Sequence, residues 1–267
     1  MSQHVYDGQL FEQATSTQHL TTRLELNKKY SSRDFDTWLM RRLEVKEGDD
    51  ILDVGCGTGA QALPFLRVAG PRGSVSCLDI SAESVSTLKK AAGNAPNLDA
   101  IAVDMAALRI CVDERFRTKR YDLSHSSYAL YYSPQRIQVL GAMRDTLKPN
   151  GKLAVFTPNR PHGMVDFVRQ FHPIAPEIDE SLVFGPSVLE PFFRTTFWDV
   201  VVHFFHNRVR ITDPEDFMTF YRATTYYKRD SDAAIRKRVG EIVRKAGYFE
   251  YEKNGYLIIG NDRISDK

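Results

Sequence analysis

The chain has 267 residues, of which 42% are apolar and 26% charged, which is enough material for one sizeable core with additions rather than two full domains. Lys and Arg number 36 against 34 for Asp and Glu, and a net charge of +2 offers no broad electrostatic footprint for nucleic acid or an anionic membrane. Three cysteines, Cys56, Cys77 and Cys111, without CxxC spacing argue against a disulfide framework and against a structural zinc site, so no metal is expected. With no signal-like start and no apolar run near the roughly 18 residues that span a bilayer, the sequence predicts a soluble, cytoplasmic protein without membrane insertion.

In chain order, residues 1–45 are polar at first and then helical in spacing, with Phe35, Trp38, Leu39 and Leu43 on one face and Ser31 with Asp34 as a capping box. This stretch is expected to form an N-terminal helical cap. Five short apolar runs follow at 51–54, 75–80, 98–103, 121–126 and 152–157, each read as a strand. Helical spacing separates them: Leu63, Leu66 and Val68, then Val85, Leu88 and Ala92 behind a Ser81 cap, then Ile137, Leu140, Met143 and Leu147. Pro64 is compatible with the first of these helices only if that helix starts late. Alternating strands and helices imply a doubly wound α/β core over 46–158: a mostly parallel, seven-stranded sheet with helices on both faces, Rossmann-like in type. Residues 159–197 read as an insertion or lid over the site. Residues 198–267 are expected to complete the sheet, with one long sixth strand over 198–211, helices from Asp213 and from about 232 to 246, and a last strand from Tyr256.

The segment ILDVGCGTG, Ile51 to Gly59, sets Gly55, Gly57 and Gly59 at alternate positions between a buried strand and a helix, where backbone can approach a ligand and present free N–H groups. Gly55, Gly57 and Ala60 also satisfy the dinucleotide fingerprint, with Asp79 where a ribose-binding acid would stand. Asp53 discriminates between the two readings. A carboxylate two residues before the first glycine would repel a pyrophosphate by about 4 kcal/mol at ~4 Å and attract a cationic ligand. The alternative is a structural Asp that caps the glycine turn.

At these residues the sequence resembles the class I S-adenosylmethionine-dependent methyltransferases, whose first motif has the same hydrophobic-Asp-hydrophobic-Gly-x-Gly-x-Gly form. Further matches follow over residues 45 to 158. Asp79, with Ile80 after it, stands where the family holds the ribose hydroxyls. Asp104 and Met105 stand where it reads adenine. The stretch YDLSHSSYALYYSP from Tyr121, containing Ser126, resembles the fourth motif, and LKPNGKLAVF from Leu147 the approach to the fifth strand. The resemblance implies S-adenosylmethionine as cofactor and Tyr30, Asp53, Gly55, Gly57, Gly59, Asp79, Ile80, Asp104, Met105 and Ser126 as cofactor-binding residues. Asp79 and Asp104 can equally be read as turn or helix caps, and Tyr30 as helix packing.

Acceptor-side candidates are His125, the one obvious general base of the fourth motif, and Tyr132, with Tyr128, Tyr131, Asn159, Arg160 and His162 nearby. His125 also reads as a buried, hydrogen-bonded structural histidine. The aromatic residues of the insertion and C-terminal region (Phe167, Phe171, Phe192, Phe193, Phe220, Tyr221, Tyr226 and Tyr227) favour an apolar or ring-bearing acceptor if they line a pocket, and core packing if they do not. The expected function is methyl transfer to an O, N or C nucleophile of a small molecule. Competing readings are an NAD(P)-dependent oxidoreductase, a methyltransferase of RNA or protein, and a non-catalytic cofactor-binding module. The small, interrupted basic clusters at 115–120 and 236–244 speak against nucleic acid, and oligomeric state is not legible.

Overall fold

The computed structural model describes residues 8–261 except 94, 111–115 and 117, so Cys111 and part of the basic cluster at 115–120 lie outside the described residues. Eight strands form one sheet: β1 (Asp50–Val54), β2 (Ser74–Asp79), β3 (Leu98–Ala102), β4 (Tyr121–Ser127), β5 (Leu147–His162), β6 (Asp199–Phe205), β7 (Arg208–Ile211) and β8 (Phe249–Asn261). Their order is β3-β2-β1-β4-β5-β8-β6, with β7 paired to β8 off that path. The first five are mutually parallel, and β8 runs antiparallel between β5 and β6. That reversed strand separates this sheet from the dinucleotide-binding order, in which six strands run 3-2-1-4-5-6 without reversal.

Strand β1 shows why the centre of the sheet is parallel. Ile51, Leu52, Asp53 and Val54 are all buried, because helices cover both faces and no side of the strand meets water. One face packs Leu52, Val54, Leu140, Met143 and Val155, and the other packs Ile51, Phe65, Val75, Leu88 and Ala154. A third core lies at the C-terminal end of β5. There Met164, Phe167, Val209, Phe217, Ile235 and Phe249 close a satellite between the β7–β8 ribbon and the helices Gly163–Val168, Pro214–Arg222 and Asp232–Ala246.

Several expectations are refined. Residues 198–211 form two strands rather than one. The break falls at Asn207, whose backbone N–H donates to Asn254 Oδ1 (3.2 Å) while its side-chain amide reaches Ser31 Oγ (3.1 Å). The last strand begins at Phe249 rather than Tyr256, because its first half is held by β7. The helix after Gly59, α4 (Ala62–Ala69), does start late, so Pro64 stands in the first turn, where its missing N–H has no intrahelical acceptor to lose.

The N-terminal segment holds three helices, α1 (Gly8–Thr15), α2 (Thr17–Tyr30) and α3 (Phe35–Leu43). Asp34 alone caps α3, accepting from the Thr37 N–H (3.0 Å) and the Thr37 hydroxyl (3.0 Å), whereas Ser31, expected in the same box, ends α2. Helix α2 sets Leu26 and Tyr30 against the satellite core and makes most of its other contacts through polar groups. Thr17 bonds Ser84 (2.8 Å), Arg23 the Ala223 carbonyl (2.6 Å), and Lys29 and Tyr30 both bond Asp216 (2.6 and 2.5 Å). Asp216→Ala removes two partners at once. An exposed lysine–carboxylate pair is worth at most about 1 kcal/mol and the tyrosine bond a similar amount, so limited proteolysis within α2 is expected to accelerate by about three- to tenfold. An unchanged cleavage rate would show that these contacts do not hold the helix down.

Candidate active site

A cavity of about 800 Å3 opens at the carboxyl ends of β1, β2 and β4, within the size range of small-molecule sites. Its floor is the glycine loop. Gly55 takes φ +77°, and a Cβ there would lie 2.2 Å from the Ala129 side chain. Gly57 takes φ +52°, and a Cβ there would meet Leu20 of α2 at 2.7 Å. Both positions therefore need glycine for conformation, and Gly55 for space as well, since the Leu20 tip can shift whereas the Ala129 Cβ cannot. Gly59, by contrast, is absent from the lining and packs on Leu88.

Asp79 stands at the end of β2 on the cavity wall. Its two oxygens accept from the Gly57 N–H (2.7 Å) and the Ser81 N–H (2.8 Å), so one side chain orients both the loop and the start of helix α5 (Ala82–Ala91). Burial pushes its carboxyl above the usual range, and those backbone N–H groups pull the other way. Ile80, 39% exposed despite being apolar, also lines the cavity, as do Asp104 and Met105. Asp104 additionally accepts from the Ala106 N–H (2.9 Å), a cap of the turn that follows β3. Carboxylate, apolar side chains and free-standing backbone here could hold a nucleoside.

Besides Gly59, several sequence candidates stand elsewhere. Asp53 is 2% exposed, does not line the cavity, and bonds His125 Nδ1 through Oδ1 (2.9 Å), while its Oδ2 has no partner among the described residues. Contrary to the expectation from sequence, this carboxylate does not face the cavity: adjacent residues of a strand point to opposite faces, and Asp53 points beneath the floor. His125, read as a general base, is fully buried with its ring edge-on to Phe65 at 5.2 Å. With Nδ1–H donating to Asp53, Nε2 is left to accept from the Ser127 hydroxyl (3.1 Å), and Ser127 is the member of this chain that reaches the cavity. Ser126 is buried and donates to the Val54 carbonyl (2.7 Å), a strand tie rather than a lining residue. Tyr30 turns its hydroxyl to Asp216, as described above, and fastens α2 instead of facing the cavity. His125→Leu is expected to lower the urea midpoint by the equivalent of about 1–3 kcal/mol, the cost of a buried polar group left without its partner. A midpoint equal to that of the parent would refute the pairing.

The rest of the lining comes from outside the core. Tyr132 and Tyr131 follow β4, His162 ends β5, Ile178, Ser181 and Leu182 come from the helix Pro176–Phe184, and Phe220, Thr224 and Tyr226 from the C-terminal region. Helix α2 contributes Leu20, Arg23 and Asn27, and β8 contributes Lys253. Tyr128 lines the cavity with φ +55°, an uncommon conformation for a bulky side chain and a sign that the surroundings over-determine the turn after β4. Arg160 leaves the site and pairs with Asp179 (2.5 Å), and Asn159 is not on the wall. Cys56 and Cys77 are buried, free thiols whose burial and mutual contact raise at least the first well above its usual range. The sequence reading missed α2, Ser127, Arg23 and Lys253; the alternation of YEKNG in a strand was the available signal for the last.

The fold and the glycine loop define a methyltransferase-type α/β domain. Residues 51–151 match the family described as "Methyltransferase domain". The chain is 31% identical over 121 residues to a 2-phytyl-1,4-naphtoquinone methyltransferase of Nostoc sp., covering 44% of this chain and 50% of that one. It is 27% identical over 151 residues to an aklanonic acid methyltransferase of a Streptomyces species, covering 54% of this chain and 66% of that one. The matched part thus spans about half to two thirds of these relatives. A SAM-dependent methyltransferase structure from Aquifex aeolicus superposes with a TM-score of 0.52 at 13% identity, covering 93% of this chain and 98% of that one, a likeness of fold. Over residues 51–151 the chain is thus similar to methyltransferase domains, and its fold is that of a solved SAM-dependent methyltransferase.

Proposed function

We propose that the protein transfers a methyl group from S-adenosylmethionine to a small, ring-bearing acceptor. The observation that carries the reading is the continuity of one cavity from Gly55, Gly57 and Asp79 to the aromatic wall of Tyr132, Phe220 and Tyr226. A donor and an acceptor can meet there out of bulk water. The two relatives named above for a naphthoquinone and for aklanonic acid support an acceptor with a ring system.

The residues fit the cofactor. Gly55 and Gly57 keep the floor free of Cβ atoms, and Asp79 has lone pairs left to accept from two ribose hydroxyls. Ile80 and Met105 offer apolar contact to a purine, and Asp104 an acceptor for its amino group. When bound, the cofactor supplies an electrophilic methyl carbon on a positively charged sulfur. The chain's own contribution is positional: the aromatic wall orients the acceptor atom for in-line attack, and α2 keeps water out. Tyr132 and His162 line the acceptor part of the cavity, and burial beside Lys253 lowers the His162 pKa to about 3, so its imidazole is neutral and can accept a proton-bearing group at physiological pH.

The test is a coupled assay of adenosylhomocysteine release over a panel of hydroxylated naphthoquinones, phenols and aliphatic alcohols. Turnover is expected with ring-bearing members and not with the aliphatic ones. Tight NADH binding without any response to adenosylhomocysteine would overturn the reading in favour of an oxidoreductase.

A further inference from the structure

The acceptor part of the cavity carries two cations without counter-ions. Arg23 of α2 and Lys253 of β8 both line it, and among the described residues neither forms an ion pair with a carboxylate. Lys253 Nζ donates to the neutral Asn27 Oδ1 (2.8 Å) and lies 5.8 and 5.5 Å from the ring centroids of Tyr128 and Phe220. Arg23 spends one of its five N–H donors on the Ala223 carbonyl, at the C-terminal end of the helix Pro214–Arg222. The carboxylates bordering the cavity are engaged elsewhere or exposed. Asp79 holds the glycine loop, Asp104 accepts from the Ala106 N–H (2.9 Å), Asp34 caps α3, Asp36 accepts from Gln61 (3.2 Å), and Glu25 is exposed.

Holding two like charges near each other in a partly dry cavity costs free energy, and the cost shows in the groups themselves. Burial, then the charge of Arg23, lowers the Lys253 pKa to about 7, and Lys253 contributes to the depression at His162. A fold that keeps such an arrangement beside Tyr226 and Tyr132 has built a place for an anion attached to a ring. We infer that Arg23 and Lys253 form an anion-binding pole that selects, within the methyltransferase reading on which this rests, an aromatic acceptor bearing a carboxylate. A planar ring would lie against Phe220, Tyr226 and Tyr132, with the carboxylate taking a charge-assisted hydrogen bond from each cation.

Calorimetry on the protein saturated with adenosylhomocysteine tests this with matched probes: 2-naphthoic acid against 2-naphthamide, and 1-hydroxy-2-naphthoic acid against its amide. The acid is expected to bind at least tenfold tighter than the amide in at least one pair. Lys253→Met and Arg23→Gln should each cut that preference to under threefold, whereas Lys253→Arg, which keeps the charge, should retain it. Raising the pH from 6 to 8.5 should weaken acid binding as Lys253 loses its proton, while Arg23 stays charged and neither the neutral His162 nor the Tyr226 phenol, held up by burial, changes state. Parent protein that shows no acid preference in either pair, or a preference that survives both neutral substitutions, overturns the proposal. Adenosylhomocysteine titrated alone separates the two readings: its failure to bind removes the methyltransferase assignment, and normal binding without acid preference removes only the anion-binding pole.

Discussion

Asp79→Ala is expected to weaken adenosylhomocysteine binding by about 30- to 1000-fold in calorimetry, the largest loss of affinity from any single side chain of the cavity. A carboxylate that accepts from two hydroxyls contributes two charge-assisted bonds, together about 2–4 kcal/mol, and each 1.4 kcal/mol is tenfold. The side chain also organises the loop through the Gly57 N–H, so part of the loss is indirect. Asp79→Asn separates the two contributions. It keeps one carbonyl oxygen for the loop while removing the charge, and it should retain the parent melting temperature more closely than alanine does yet bind at least tenfold more weakly than the parent. Because burial raises the Asp79 carboxyl above its usual range, affinity should fall on acidification earlier than an exposed aspartate would allow, as protonation replaces an acceptor by a donor. Binding by Asp79→Ala at parental strength would remove the nucleoside from this wall.

Gly55→Ala is expected to cause the largest loss of stability, about 2–5 kcal/mol. A left-handed backbone costs an L-residue about 1–2 kcal/mol, and forcing a methyl group into a filled space costs about 1–3 kcal/mol more. The second part has a named origin, the Ala129 side chain 2.2 Å from the new Cβ. Adding Ala129→Gly should therefore restore the steric share and leave the conformational one, a partial rescue readable as a urea midpoint between those of the parent and the single variant. Full rescue, or none, would show that one of the two causes was misassigned.

The glycine-loop end of the cavity was legible in the sequence because its residues obey local rules. A glycine at positive φ, an Asp at the end of a strand and a Ser at a helix start each announce a backbone need, and Gly55, Gly57, Asp79 and Ser81 all stand where those rules put them. What failed depended on which way a side chain points in a strand covered on both sides. From Ile51 to Val54 in β1 and from Leu123 to Ser126 in β4 every residue is buried, so alternation carries no information on which of Asp53, His125, Ser126 and Ser127 faces the crevice. Helix α2 was illegible for a related reason. Its face meets the Asp216 carboxylate, the Ala223 carbonyl and the Ser84 hydroxyl as well as the edge of the satellite core through Leu26 and Tyr30, so polar residues such as Thr17, Arg23 and Lys29 share its packing and the apolar period is broken. The division of 198–211 into two strands hinges on Asn207, whose partners Asn254 and Ser31 are 47 and 176 residues away in sequence.

Strand β8 belongs to both halves of the molecule. Its last seven residues complete the sheet between β5 and β6, and its first four pair with β7 over the satellite core, with Lys253 between them. One unbroken ribbon thus ties the Lys253 wall of the cavity to the sheet that carries the glycine floor. The walls come from α2, from the residues after β5 and from β8, and none of these carries the glycine turn of the floor. Substitutions on the walls can therefore alter the shape of the cavity while the floor keeps its backbone conformation.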